Sequence, residues 1–179
     1  MRTQRPTAQR CFSFDAWEKG GEPVSIHLKR ATLSDAEALH RMQLEAFAGL
    51  LAKYQDAAIN PACESLDRIR EKLGQPYTRY YFILDGRRAV GGIRVVDRGD
   101  PSLRKAISPL FVLPECRGRG IAQQAIAAVE RLHGPNGWAL DTILEEPGNC
   151  HLYEKMGFRR TGEVRRINPR MTLVEYEKD

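Results

Sequence analysis

A short stretch of the chain combines residue types that can hold a phosphate group. Residues 105–126 have the sequence KAISPLFVLPECRGRGIAQQAI, in which an apolar run ends at Leu113-Pro114. The turn from Arg117 to Gly120 follows, and an amphipathic segment begins directly after it. Glycines let a backbone approach a ligand closely, and the free N–H groups at the start of a helix point toward an anion. The pattern therefore predicts a strand, a phosphate-binding turn and a helix.

The spacing of the glycines excludes two common phosphate-binding motifs. The P-loop requires a Lys directly after its last glycine, whereas Ile121 follows Gly120 here. The dinucleotide motif G-x-G-x-x-G requires a third glycine where this chain has Gln123. The remaining pattern is Arg117-x-x-Gly120-x-Ala122. A plain connector between a strand and a helix is the alternative interpretation.

A second segment, about thirty residues beyond the turn, carries a tyrosine that can act as an acid. Residues 149–158 have the sequence NCHLYEKMGF. Gly157 can adopt the left-handed conformation that ends a helix, and Phe158 can pack back onto that helix. Tyrosine has a reference pKa of about 10, so Tyr153 keeps its proton at neutral pH and can donate it. A tyrosine that only packs its helix onto a sheet is the alternative.

The two motifs together resemble those of the GNAT superfamily of N-acetyltransferases. The turn is similar to the family's acetyl-CoA pyrophosphate loop, Gln/Arg-x-x-Gly-x-Gly/Ala, and residues 153–158 are similar to its Tyr-Glu-Lys-x-Gly-Phe helix end. The resemblance covers roughly residues 25–177. It implies an α/β fold with a mixed sheet of six to seven strands, splayed at its centre and flanked by about four helices. It also implies acetyl-CoA as the co-substrate.

The same resemblance indicates which residues would hold acetyl-CoA. In this family the fourth and fifth strands separate, and the pantetheine arm lies in the gap like an added strand. Backbone groups of the fourth strand bind the arm, a role that falls to Leu110, Phe111 and Val112. The pyrophosphate is expected at Arg117, Gly118, Arg119, Gly120, Ile121, Ala122 and Gln123. Backbone N–H groups are the main expected donors, and the two arginine side chains either add charge or remain solvated.

By resemblance, Tyr153 is the general acid, with its hydroxyl directed at the thioester sulfur. The general base is left open, because the predicted fourth strand offers Ser108 but no carboxylate. Family members with a base on the fifth strand place it about twelve residues before the tyrosine, which corresponds to Asp141. A solvent-facing strand residue is the alternative for Asp141. Glu145, Glu146 and a water chain are the other candidates for the base.

Asn149 has two possible roles. Many family members carry an Asn seven residues before the tyrosine, where it binds the pantetheine, but this chain has Glu146 at that position. Either the segment EEPGN is a shortened loop that brings Asn149 into the cofactor-binding role, or Asn149 caps the last helix.

Composition and charge limit the classes of function. The 179 residues, 42% of them hydrophobic, are enough for one core. A net charge of +5 suits an anionic cofactor but is too small and dispersed for a nucleic-acid partner. The sequence shows neither a bilayer-spanning apolar run nor a signal-peptide core, so we expect no membrane partner. The cysteines show no disulfide framework, which predicts a reducing, cytoplasmic compartment. The four cysteines and four histidines lack metal-ligand spacing, so we expect no metal.

The predicted organisation is an N-terminal extension over residues 1–23, partly flexible, followed by a single domain over 24–179. A capping box at Ser34 and Glu37 is expected to begin the first helix. Helices are predicted at 36–47, within 50–73, and at 120–133 and 150–156. Strands are predicted at 25–29, 80–84, 88–96, 106–113, 139–144, 161–167 and 171–177.

The sequence favours an N-acetyltransferase in which a small amine attacks acetyl-CoA directly in a ternary complex, acting as a monomer or homodimer. The resemblance implies that acceptor specificity comes from residues 47–73 and 164–171. These contain possible amine ligands and possible ligands for a carboxylate or phosphate, namely Tyr54, Asp56, Glu64 and Asp67, and Arg68, Arg70, Arg165, Arg166 and Arg170. The alternatives are a non-catalytic acetyl-CoA sensor or scaffold, and an acetyltransferase acting on protein N-termini or lysines.

Overall fold

The computed structural model describes residues 25–179, so the predicted N-terminal extension lies outside the described part of the chain. The first half of the domain contains β1 (Ile26–Arg30), α1 (Ala36–Tyr54), α2 (Leu66–Gly74), β2 (Thr78–Asp85), β3 (Arg88–Val96) and β4 (Lys105–Val112). The second half contains α3 (Ile121–His133), β5 (Trp138–Ile143), α4 (Pro147–Lys155), β6 (Arg159–Asn168) and β7 (Met171–Lys178).

The seven strands form one mixed sheet in the order β1-β2-β3-β4-β5-β7-β6. Every neighbouring pair is antiparallel except β4 and β5, which run parallel. These two strands pair only at Lys105 with Trp138 and at Ala106 with Ala139. Beyond that point they separate, so the predicted central splay is confirmed.

The helices cover both faces of the sheet. The hydroxyl of Tyr80 on β2 donates to Gln43 of α1 at 2.7 Å, whereas that of the adjacent Tyr81 is 2.9 Å from His133 of α3. Because successive side chains of a strand point to opposite faces, these two contacts define an α1 face and an α3 face. Trp138 of β5 packs against His133 with the ring centroids 6.4 Å apart, which places it on the α3 face.

Helix α1 is longer than predicted, because it continues past Phe47 to Tyr54. Its last turns pack into a small second core, in which Tyr54 lies against Ile143 and Met171. Such tertiary packing stabilises helical turns that the local sequence does not specify. Gln55 then adopts a left-handed conformation with φ of 54° and ends the helix.

Two helix starts also differ from the prediction. Helix α4 begins at Pro147 rather than Cys150, with Glu146 as its N-cap. Proline suits this first position because its fixed φ is helical and its missing N–H has no intrahelical acceptor there. Before α1, the backbone N–H and the hydroxyl of Thr32 both donate to Asp35, at 2.9 and 2.8 Å, so the capping box is formed by Thr32 and Asp35 rather than by Ser34 and Glu37.

Two glycines in β3 set how closely β4 lies against α1. A Cβ at Gly92 would lie 2.7 Å from Phe111 Cζ, and one at Gly91 would overlap the Phe111 carbonyl oxygen. Without side chains at these positions, the Phe111 ring packs edge-on against Phe47 of α1 at 5.8 Å. The end of β4 is thereby held beside the helix.

Candidate active site

A cleft with a volume of about 530 Å³ opens where β4 and β5 separate. Its walls are the end of β4, the turn before α3, the middle of α1 and the start of α4. Tyr153 and all of the predicted cofactor-binding residues except Arg119 line it, whereas Asp141 does not. Phe47 and Leu50 of α1 also line it, and both belong to the segment expected to meet the acceptor. Sequence reasoning missed four lining residues, which are Ala46, Cys116, Gly148 and Leu152.

The turn between β4 and α3 presents backbone donors to the cleft. Gly118 and Gly120 have φ angles of 76° and 73°, in the left-handed region that side-chain-bearing residues rarely adopt. Gly120 is the N-cap of α3, and Gln124 N donates to its carbonyl oxygen at 3.2 Å. The three preceding N–H groups therefore have no acceptor within the helix. A Cβ at either glycine would meet no atom within 4 Å, so the turn is open to a ligand.

Both arginines of the turn use their side chains within the protein. Arg117 donates from Nη2 to Ala46 O at 2.7 Å and from Nε to Val112 O at 3.1 Å. Arg119 Nη2 lies 3.1 Å from Asp85 Oδ2. The donors that remain for a ligand are the main-chain N–H groups at the start of α3. The helix dipole makes this end positive, which suits a phosphate.

Tyr153 lies on α4 with only 8% of its surface exposed. Its ring packs against Phe158 and Tyr176, with centroids 6.0 and 6.1 Å away. Burial, together with the nearby Cys150 thiol, raises the pKa of Tyr153 to about 12. The hydroxyl of Tyr153 bonds to none of residues 25–179, although no fully buried side-chain polar atom among them lacks a partner. The hydroxyl is therefore not fully buried, and because Tyr153 lines the cleft, we infer that it faces the cleft. A protonated donor is therefore available to a ligand there.

Glu146 is the one carboxylate among the described residues that lines the cleft. Lys53 Nζ and Tyr54 Oη both donate to its Oε1, each at 2.6 Å. Burial acts to raise the pKa of Glu146, but the hydrogen bonds from Lys53 and Tyr54 outweigh it and hold the pKa below its ordinary value. The group is thus ionised at neutral pH, and Oε2 receives neither of these bonds.

Asp141 lies apart from the cleft. It is on β5, on the sheet face opposite Trp138 and Leu140, and its half-exposed carboxylate is 3.5 Å from Arg165 Nη2. Burial raises the pKa of Asp141 above its ordinary value against the opposing charge of Arg165. The structure therefore does not bring Asp141 together with Tyr153, and its catalytic role stays a prediction.

The structure also gives the positions of Glu145, Ser108 and Asn149, which the sequence analysis considered for the base or the cofactor site. Glu145 accepts a hydrogen bond from Thr172 N at 2.9 Å and does not line the cleft, and Ser108 is exposed on β4. Asn149 lies inside α4 and lines the cleft. The alternative in which Asn149 caps the helix is wrong, because Glu146 occupies that position. Its contact with the cofactor stays a prediction.

Several residues that were expected to meet the acceptor have partners inside the protein. Glu64 accepts hydrogen bonds from Lys72 and from Gln43, and Asp56 accepts one from Asn60 at 2.8 Å. The bond from Gln43 joins α1 to the segment before α2, and the bond from Lys72 joins that segment to α2.

No helix of residues 25–179 combines the length and apolar character needed to cross a membrane.

Comparison with known proteins shows the family and the fold of the chain. The sequence model of the Acetyltransferase (GNAT) family matches residues 37–158, which is more than half of the chain. No curated protein matches at a significant level. Solved structures with the same fold include PaiA N-acetyltransferase from Thermoplasma acidophilum in complex with coenzyme A, at 15% identity and a TM-score of 0.67, covering 87% of this chain and 99% of that one.

Two further structures have similar scores. Spermidine N-acetyltransferase from Vibrio cholerae, in complex with CoA and spermine, is 20% identical with a TM-score of 0.65, covering 84% of this chain and 93% of that chain. The Salmonella typhimurium acetyltransferase that modifies the N-terminal serine of ribosomal protein L7/L12 is 17% identical with a TM-score of 0.65, covering 86% and 95%. At these identities the likeness shows the fold.

Proposed function

Because the chain belongs to the GNAT family of acetyltransferases, we propose that it transfers the acetyl group of acetyl-CoA to the amino group of a small molecule. The observation that carries the proposal is that one cleft brings three groups together. The glycine turn before α3 lines it, a protonated tyrosine lines it, and an ionised carboxylate lines it at the start of the same helix as the tyrosine.

The cleft fits acetyl-CoA, which when bound supplies a thioester that an amine can attack. The turn after β4 offers its backbone N–H groups to the pyrophosphate. Leu110, Phe111 and Val112 pair with β3 on one side, and β5 has diverged on the other. Their free backbone groups can therefore bind the pantetheine arm as an added strand would be bound.

Tyr153 and Glu146 are suited to the two proton transfers of the reaction. Tyr153 Oη holds the proton that a departing thiolate needs, and burial keeps it protonated at neutral pH. We assign to Glu146 Oε2 the proton of the attacking amine, taken up directly or through a water molecule. Position in the cleft favours Glu146 over Asp141 as the base, and the pH dependence of the rate separates the two.

Replacing Tyr54 by Phe is expected to move the acidic limb of the pH profile of kcat/KM to higher pH. Tyr54 and Lys53 hold the pKa of Glu146 below its ordinary value, so that removing one donor makes the carboxylate protonate earlier as the pH falls. Glu146→Gln is expected to remove the limb, and Asp141→Asn to keep it. A limb that survives in Glu146→Gln and disappears in Asp141→Asn would make Asp141 the base.

A panel of amines tests the function itself. Release of CoA thiol from acetyl-CoA would be measured with diamines and polyamines, amino acids, amino sugars, and peptides with a free N-terminal serine or a lysine. We expect turnover with one class of small amines and little with the peptides. Turnover of the peptides alone would make the protein a protein acetyltransferase. Binding of acetyl-CoA without turnover of any amine would favour a non-catalytic sensor.

A further inference from the structure

We infer that the Arg117 side chain is a positioning group that fastens α1 to the cofactor turn, rather than a ligand of the cofactor's phosphates. This inference rests on the proposed function only in taking the turn as the pyrophosphate site. Arg117 ends the short helical turn Pro114–Cys116 in an extended conformation, with φ of −68° and ψ of 165°.

Two hydrogen bonds define what the guanidinium does. Nε donates to Val112 O at the end of β4, and Nη2 donates to Ala46 O in the middle of α1. The Ala46 carbonyl already serves an intrahelical bond, and its second lone pair can accept the arginine. Bonds from an ionised donor are shorter and stronger than neutral ones. One side chain therefore joins the turn, the splayed strand and the helix.

The part of α1 that Arg117 holds forms a wall of the cleft. Ala46, Phe47 and Leu50 all line it. The last turn of the same helix carries Lys53 and Tyr54, which donate to Glu146. Contacts thus run from the cofactor turn through Arg117 and α1 to the carboxylate of Glu146. Loss of Arg117 should therefore disturb acceptor chemistry as well as cofactor binding.

The same two bonds argue against a phosphate-ligand role. An arginine that clamps a phosphate presents its planar fork to the anion as two parallel donors. In Arg117, Nε and one Nη are already committed to carbonyl oxygens. A lysine at this position would keep the charge but would lose the fork that reaches both carbonyls at once.

The test compares two acetyl donors in three variants. Acetyl-pantetheine carries the same thioester arm as acetyl-CoA but lacks the phosphates and the nucleoside. Arg117→Ala is expected to lower kcat/KM about tenfold or more with both donors, and Arg117→Lys is expected to restore little. Arg88→Ala is the matched control, because Arg88 pairs with Glu115 of the adjoining turn at 2.7 Å on the surface and does not line the cleft.

The result that would overturn the inference is a loss confined to acetyl-CoA and rescued by Arg117→Lys, since a phosphate ligand has that behaviour. Amide hydrogen exchange in the unliganded protein gives a readout that does not depend on activity. We expect faster exchange of residues 46–54 in Arg117→Ala than in the wild type or in Arg88→Ala. Unchanged exchange there would also contradict the inference. A wild-type protein that does not bind acetyl-CoA would overturn the proposed function and leave the exchange result interpretable.

Discussion

Gly120→Glu is expected to lower the affinity for acetyl-CoA about a thousandfold. Gly120 caps α3 in a left-handed conformation, and a Cβ there would point into the open cleft. A carboxylate about 4 Å from a phosphate charge costs about 4 kcal/mol at an effective dielectric constant of about 20. Since ~1.4 kcal/mol is a tenfold change, this corresponds to about three orders of magnitude. Titration calorimetry with acetyl-CoA measures the loss directly.

Two controls separate the charge from the strained backbone. Gly120→Ala adds the left-handed strain without the charge, and a smaller loss of affinity is expected. Gly99→Glu adds the same side chain at another left-handed glycine, with φ of 69°, open surroundings and no part in the cleft. It should bind acetyl-CoA as the wild type does. Undiminished affinity in Gly120→Glu would place the pyrophosphate elsewhere.

The parts of the site that the sequence predicted are those that depend on local chemistry. Gly118 and Gly120 follow a predicted strand and precede a predicted helix, and both adopt the positive φ that their residue type allows. Tyr153 lies in the helix that its motif predicts, and the Gly157 that follows has φ of 88°. Each of these features is set within about ten residues of sequence.

The parts that could not be predicted depend on contacts between distant segments. Lys53 and Tyr54 meet Glu146 across more than ninety residues of chain. That contact exists only because α1 continues to Tyr54, which requires the second core beneath it. The roles of the arginines in the turn were open for the same reason, since Arg117 finds its partner in α1 and Arg119 finds Asp85.

Counting residues back from the tyrosine placed the candidate base on β5, about twelve residues before Tyr153. In the structure α4 begins directly at Pro147, so the carboxylate that reaches the cleft lies at its N-cap, Glu146. The alternation of side chains along β5 predicts that Asp141 lies on the face opposite Leu140. It does not predict how far the cleft extends along that strand. The short segment before α4 therefore decides which carboxylate lines the same cleft as the tyrosine.

Tyr153→Phe is expected to lower kcat about a hundredfold or more while the affinity for acetyl-CoA stays nearly constant. The change keeps the ring that packs against Phe158 and Tyr176 and removes only the hydroxyl that reaches the cleft. A positioned general acid contributes about 10²–10⁴-fold to a rate. Steady-state kinetics with the best amine of the panel, together with calorimetry, separate the chemical step from binding.

The alkaline side of the pH profile gives a second check on the same residue. The active form is the protonated phenol, and because its pKa is raised to about 12, wild-type activity should not fall between pH 9 and about 10.5 through loss of this proton. Tyr176→Phe is the control, since it removes a hydroxyl that contacts Glu154 and Arg160 outside the cleft. It should leave kcat within a fewfold of the wild type. Full activity in a folded Tyr153→Phe variant would assign the tyrosine to packing, and a wild-type rate that halves near pH 10 would show that burial does not protect its proton.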